Sequence, residues 1–202
     1  MKKLLFFLPV FLLFSFNSKD SGLTKKEKRF ALDYLQQTKV DLENTIKGLS
    51  EDQLNFKPAD DRWSIKGCLQ HIAAAESGLW QWCEGTIKAP ATPEKRAEVK
   101  FTDDQIIKMI TDRSVKATAP AEMQPDKSPF ATAIDALNAF NEARGKLMKY
   151  VKSTKEDLRN HIAQAPMGAV DAYQLILFIG GHSNRHTQQI AEVMADPNFP
   201  KK

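Results

Sequence analysis

Two histidines, His182 and His186, lie four residues apart in the stretch Gly-Gly-His-Ser-Asn-Arg-His-Thr-Gln-Gln-Ile. On a helix that spacing stacks both imidazoles on one face, one turn apart. Side chains so placed can converge on a single ion at the ~2.0–2.1 Å bonds that zinc makes to histidine. At ~100° per residue, Leu175, Phe178, Ile179, Gln189 and Val193 share that face, so the two imidazoles point inward. Ser183, Asn184 and Arg185 then face solvent or a neighbouring helix. His71 lies in a separate segment, on a face shared with Ser64, Gly67, Cys68, Ala74, Ala75, Gly78 and Trp82. Small residues there leave room for another helix or a substrate to approach. A third imidazole from this face would complete a three-histidine site of the kind bundles build from facing helices, with coordination positions left open for water or substrate. Spacing alone leaves a second reading open, in which the histidines are hydrogen-bonded core residues. His161 precedes a turn-like stretch, residues 164–168, and reads as a surface or structural histidine.

The elements that must position these side chains read as helices. Thr24 with Glu27, Ser50 with Gln53, and Thr102 with Gln105 have capping-box spacing. The first opens a helix ending near Gly48, with Phe30, Tyr34, Leu35, Leu42, Ile46 and Leu49 as its buried candidates; the second opens a short turn. Ser64 is placed to cap a long helix running to about Glu84. The third box starts a helix carrying Ile106, Ile107, Ile110 and Val115. Pro120, Pro125 and Pro129 mark a loop. A fourth helix spans about residues 132–151, with Ile134, Leu137, Phe140, Leu147 and Val151 inward, and a fifth spans 172–195, stopped by Pro197. No run alternates strictly between hairpin turns, so no strand is predicted. The fold class is all-α, a helix bundle. Cys68 and Cys83, 15 residues apart on one predicted helix, lie roughly 22 Å apart along its axis and cannot form a disulfide with each other.

Composition narrows the partners. Of 202 residues, 29 are Lys or Arg and 25 are Asp or Glu, a net charge of +4. With no basic run and no aromatic-basic motif, nucleic acid is not an expected partner. Lys2 and Lys3 precede an apolar run, residues 4–16, too short to span a membrane and suited to a secretory signal. Residues 1–20 are therefore expected to be a signal peptide or, if uncleaved, an N-terminal anchor, and residues 21–202 the folded domain. The protein is expected to be exported, periplasmic or extracellular.

Two segments together resemble a known family. Pro58, Trp63-Ser64, Leu69-Gln70-His71-Ile72 and Glu76 give the order P…WS…L-x-H-I…E, and Gly181 to His186 followed by Gln189-Ile190 give H-x-x-R-H-x-x-Q-I. The pair is similar to the DinB/YfiT-like superfamily, over about residues 25–193. The resemblance implies a four-helix bundle with long connecting segments and a metal site between helices, so that the short turn or one of the five long helices must lie outside the four-helix core. It further implies a divalent metal held by His71, His182 and His186, homodimers, and an unidentified small-molecule substrate. Three imidazoles suit zinc or nickel first, and also iron or copper. The resemblance implies a metal-dependent transferase or hydrolase; the alternative is a non-catalytic metal-binding or interaction module. The secretory start departs from the thiol-dependent members, which work in the cytoplasm.

No general base is assigned. Glu76 lies about 140° round the helix from His71 and reads as a salt-bridge or packing residue. Gln189 shares the histidine face and could bond a ligand. Because imidazole binds metal only when neutral, affinity is expected to fall below about pH 6.

Overall fold

The computed structural model describes residues 22–201. The proposed signal or anchor, residues 1–20, lies outside the described residues. Six α-helices form: α1 (Lys25–Ile46), α2 (Glu51–Asn55), α3 (Ile65–Lys88), α4 (Asp103–Thr111), α5 (Ala133–Ser153) and α6 (Ala172–Met194). Five begin at reciprocal capping boxes: Thr24 with Glu27, Ser50 with Gln53, Thr102 with Gln105, Thr132 with Asp135, and Asp171 with Gln174. Ser64 caps α3 through the Gly67 N–H. Each cap satisfies backbone donors that a helix start otherwise leaves open, which is why these starts are readable from spacing alone.

Helices α1, α3, α5 and α6 make the four-helix core, with α1 and α3 each packed against both α5 and α6. Helix α2 packs on α3, and α4 lies outside the four, on α6. Seating α4 there depends on Gly181, where a Cβ would stand 2.2 Å from Ile110 Cγ2. The helix next to His182 is thus held close by the absence of a side chain on its neighbour.

The expectation that there are no strands is corrected. Strands β1 (Ile162–Ala165) and β2 (Gly168–Asp171) form an antiparallel hairpin, with Ile162 opposite Asp171 and Ala165 opposite Gly168. Four-residue strands are too short to show alternation. Gly168, at φ +124°, supplies the backbone conformation that lets the chain turn tightly after Pro166 and Met167. Ala163 of β1 and Ala169 and Val170 of β2 are buried. Among the described residues, no helix is long and apolar enough to cross a membrane.

Three of the apolar residues named on the expected helices do not pack inward. Phe30 and Ile134 are exposed, and Val115 lies beyond the end of α4 and is 63% exposed. Leu35, Leu42, Phe140, Leu147 and Val151 are buried as expected.

The core divides into two apolar clusters along the bundle. One holds Leu35, Leu147, Val151, Tyr173 and Ile176; the other holds Leu42, Leu69, Ile72, Phe140 and Ile190. Between them on their own helices stand Thr38, Glu76, Arg144 and Ser183, all buried, so the four-helix core is crossed at mid-height by a polar layer. His71, His182 and His186 lie on α3 and α6, within a turn or two of Glu76 and Ser183.

Candidate metal centre

The structure brings His71, His182 and His186 together. One ring nitrogen from each lies within 4.8 Å of the others, and among the described residues these three form the one such cluster of metal-ligating side chains. His71 and His186 are buried and His182 is partly so. Ring centroids stand 5.1 Å apart for His71–His182, 4.5 Å for His71–His186 and 4.6 Å for His182–His186.

Hydrogen bonds orient two of the three rings from behind. His71 Nδ1 lies 2.9 Å from the Met123 carbonyl. A carbonyl only accepts, so Nδ1 carries the proton and the neutral ring turns an unprotonated Nε2 inward. His186 Nδ1 likewise donates to Gln189 Oε1 at 2.9 Å, leaving its Nε2 free. His71 Nε2 and His182 Nε2 face each other at 3.2 Å. Two nitrogens each bonded to one ion at about 2.1 Å stand at close to this separation when they subtend an angle near 100°. The donor set and the outward use of Nδ1 therefore fit a divalent transition ion.

Electrostatics keep the rings neutral. Burial pushes His182 down to about 3, helped by the neighbouring His71 and the Arg185 and Arg144 charges. Burial lowers His186 well below its ordinary value, with His182 and His71 adding to it. Burial also lowers His71, against the Met123 carbonyl bond, which raises it. Neutral imidazole is the form that ligates metal.

The surroundings close one side. Trp63 stacks near His186 at 5.9 Å and lies 4.9 Å from His71, centroid to centroid. Its outer side lines a groove with Asp60, Asp61 and Arg62. The segment carrying Met123 and Pro125 lies across the small-residue face of α3. Pro125 reaches Gly67, and a Cβ at Gly78 would meet Met123 Cε at 2.8 Å. The room expected for a helix or a substrate is thus taken by a loop.

Other expected residues fall elsewhere. His161 is buried, the structural rather than the surface one of its two readings, and lies outside the cluster. Its Nδ1 has no hydrogen-bond partner, while its carbonyl accepts from Ala172 N at the start of α6. Glu76 makes a bidentate ion pair with Arg144, at 2.6 and 2.9 Å, and is not available as a base. Cys68 and Cys83 are buried and unpaired. Burial pushes the Cys68 thiol up to about 12, so it packs rather than attacks. Ser183 and Arg185 face neighbouring helices rather than solvent, buried in contacts to α5 and to the end of α4. Trp63 is the pocket-wall residue its type suggests, whereas sequence reasoning missed Met123 and Arg113, whose side chain reaches Gln189. A backbone carbonyl carries no side-chain signal, and Arg113 lies in no motif.

Comparison with known proteins gives a family and a fold. Residues 34–190 match the family model of the DinB superfamily. The uncharacterized protein YuaE of Bacillus subtilis (strain 168) is 26% identical over 151 residues, covering 74% of this chain and 88% of its own. Among solved structures, YfiT from Bacillus subtilis superposes with a TM-score of 0.59 at 13% identity, over 89% of this chain and 92% of that one. YfiT is described as a probable metal-dependent hydrolase with an unusual four-helix bundle topology.

Proposed function

The chain belongs to the DinB superfamily, and we propose that it is a metal-dependent hydrolase whose divalent ion is held by His71, His182 and His186. The observation that carries this reading is the convergence of three ring nitrogens within 4.8 Å, with the Nδ1 atoms of two of the rings already engaged outward. Three protein ligands leave positions open, which is the arrangement of catalytic rather than closed structural sites. An ion there would supply Lewis acidity to an oxygen of the substrate or of water. The description of YfiT supports hydrolysis over group transfer.

The chain's own residues have separate tasks in this reading. The Met123 carbonyl and Gln189 hold two ligand rings in the neutral, inward-facing state. Trp63 covers His71 and His186 and excludes water from that side. No carboxylate joins the histidines among the described residues, so the substrate meets a neutral ligand set and keeps the full charge of the ion.

The test is turnover on a panel of ester, amide and thioester substrates by zinc-loaded and nickel-loaded protein. Hydrolysis that chelation abolishes, that metal restores, and that is absent from His71→Ala is the expected result. Stoichiometric metal binding without hydrolysis across the panel would favour a non-catalytic metal module.

A further inference from the structure

Behind His186 stands a row of side chains reaching from the histidine to the protein surface. Gln189 Oε1 accepts from His186 Nδ1 at 2.9 Å, and Arg113 Nη1 points at the same oxygen from 3.5 Å. Glu192 grips Arg113 through two N–H donors, at 3.0 and 2.8 Å. Arg113 lies just beyond α4, in backbone that Arg185 gathers by donating to the carbonyls of Ile110, Asp112 and Val115. The arginine lying between two histidines of α6 therefore fixes the segment that carries a second arginine back onto a glutamine of the same helix.

We infer that Gln189, its amide oriented by Arg113, is a positioning residue that fixes the tautomer of His186, and that Arg185 keeps Arg113 in reach. The reason lies in donor and acceptor counting. A glutamine amide can present either oxygen or NH2 to the ring. With NH2 inward, Nδ1 would become the acceptor and the ring proton would move to Nε2, where it would block the metal-facing lone pair. A guanidinium has donors only, so the flipped amide would set NH2 against Arg113 as well. At 3.5 Å the Arg113 contact is too long to count as a strong hydrogen bond. Its charge beside the amide still selects the oxygen-inward orientation. Glu192, closing on the outer side of Arg113, keeps that charge from swinging to solvent. Groups placed behind metal-ligating histidines do this work in general, and their loss typically weakens metal binding by about 10–100-fold.

The inference rests on the metal reading above, and its test separates the two. Zinc affinity is measured by chelator competition for wild type, Gln189→Leu, Gln189→Glu, Arg113→Met and the Gln189→Leu/Arg113→Met double variant. Imidazole nitrogen NMR on the metal-free proteins reports the His186 tautomer directly. Gln189→Leu should bind zinc about 10–100-fold more weakly. Gln189→Glu keeps an acceptor at the same place and should stay near wild type. Arg113→Met should weaken binding less than Gln189→Leu, and the double variant should be no weaker than Gln189→Leu alone. In the metal-free wild type the proton should sit on Nδ1, and in Gln189→Leu and Arg113→Met the tautomers should mix. Additive effects in the double variant, or an unchanged tautomer in both single variants, would overturn the inference. A wild type that takes up no zinc yet shows the fixed tautomer would sink the metal reading and leave the positioning role standing.

Discussion

Two buried polar clusters share helices α3 and α6, and they are built on opposite rules. In the first, Arg144 is fully buried and all five of its N–H donors are used: two on Glu76, one on the Leu35 carbonyl, one on Thr38 Oγ1 and one on Ser183 Oγ. Its charge is balanced and its hydrogen bonding is complete. In the second, the three histidines are neutral, and the bonds to Met123 and Gln189 leave unprotonated nitrogens aimed at a common centre. A saturated cluster has no chemistry left to offer and serves to register four helices. A cluster whose three ring nitrogens converge on one centre, with the outer nitrogens of two rings already bonded, is arranged to bind a ligand. Burial and polarity alone would not have told the two apart; the directions in which the bonded and the converging nitrogens face do.

Breaking the saturated cluster should have the largest effect on folding. Arg144→Met strands the Glu76 carboxyl in the core, which typically costs about 3–5 kcal/mol when one partner of a buried pair is removed. Urea denaturation should show that loss, and the Arg144→Met/Glu76→Leu pair should recover much of it. A loss below about 1 kcal/mol for the single change would mean that the layer does not register the bundle.

Breaking the histidine cluster should do the reverse. His182→Ala should leave the metal-free protein folded, with a helical circular dichroism spectrum like the wild type. It should remove the rise in melting temperature that zinc confers, roughly 2.7 kcal/mol when free metal is 100 times Kd. Unchanged zinc stabilisation in this variant would place the metal elsewhere.

Acid should sharpen the contrast. The pKa values of His71, His182 and His186 are lowered in the folded protein, to about 3 for His182, from an unfolded value of ~6.5. Below pH ~6.5 the unfolded chain therefore takes up protons that the folded chain refuses. The contribution of these groups to stability is present above that pH and is lost as the pH falls toward 3. For the same reason, metal loss in the folded state should come later than the sequence-based expectation of about pH 6, because protons compete only near the depressed values. The melting gap between zinc-loaded and metal-free protein should persist at pH 5. A gap that vanishes there would mean the rings titrate like exposed histidines.

The smallest effect is expected at His161. It is buried beside the start of α6 and outside the cluster. His161→Gln should leave zinc stoichiometry unchanged by elemental analysis, and loss of metal in that variant would point to a ligand set that includes it.

How much of this was legible depended on whether the signal was local. Helix starts were readable because a capping box is written within four residues, as at Thr24 and Thr102. The histidine face of α6 was readable because helical periodicity places His182 and His186 together. The hairpin was not, since β1 and β2 are too short to alternate and owe their burial to α6 and the Pro93–Glu98 segment packed against them. Ile134 and Val115 misled because an apolar residue near a helix end can fall outside the packed stripe. The groups that orient the site were illegible for another reason. Met123 contributes a backbone carbonyl, and Arg113 reaches Gln189 only because α4 docks against Gly181. Those are facts of tertiary packing, with no residue pattern to announce them.

In the proposed reading, His71, His182 and His186 together hold one divalent transition ion. Elemental analysis of protein purified without a histidine tag, followed by zinc and nickel titration of the chelated form, tests it most directly when His71→Ala is run beside the wild type. The wild type should carry one metal per chain and rebind it saturably after chelation, and His71→Ala should do neither. A wild type that binds neither metal at pH 7.5, or a His71→Ala protein that retains one equivalent, would contradict it.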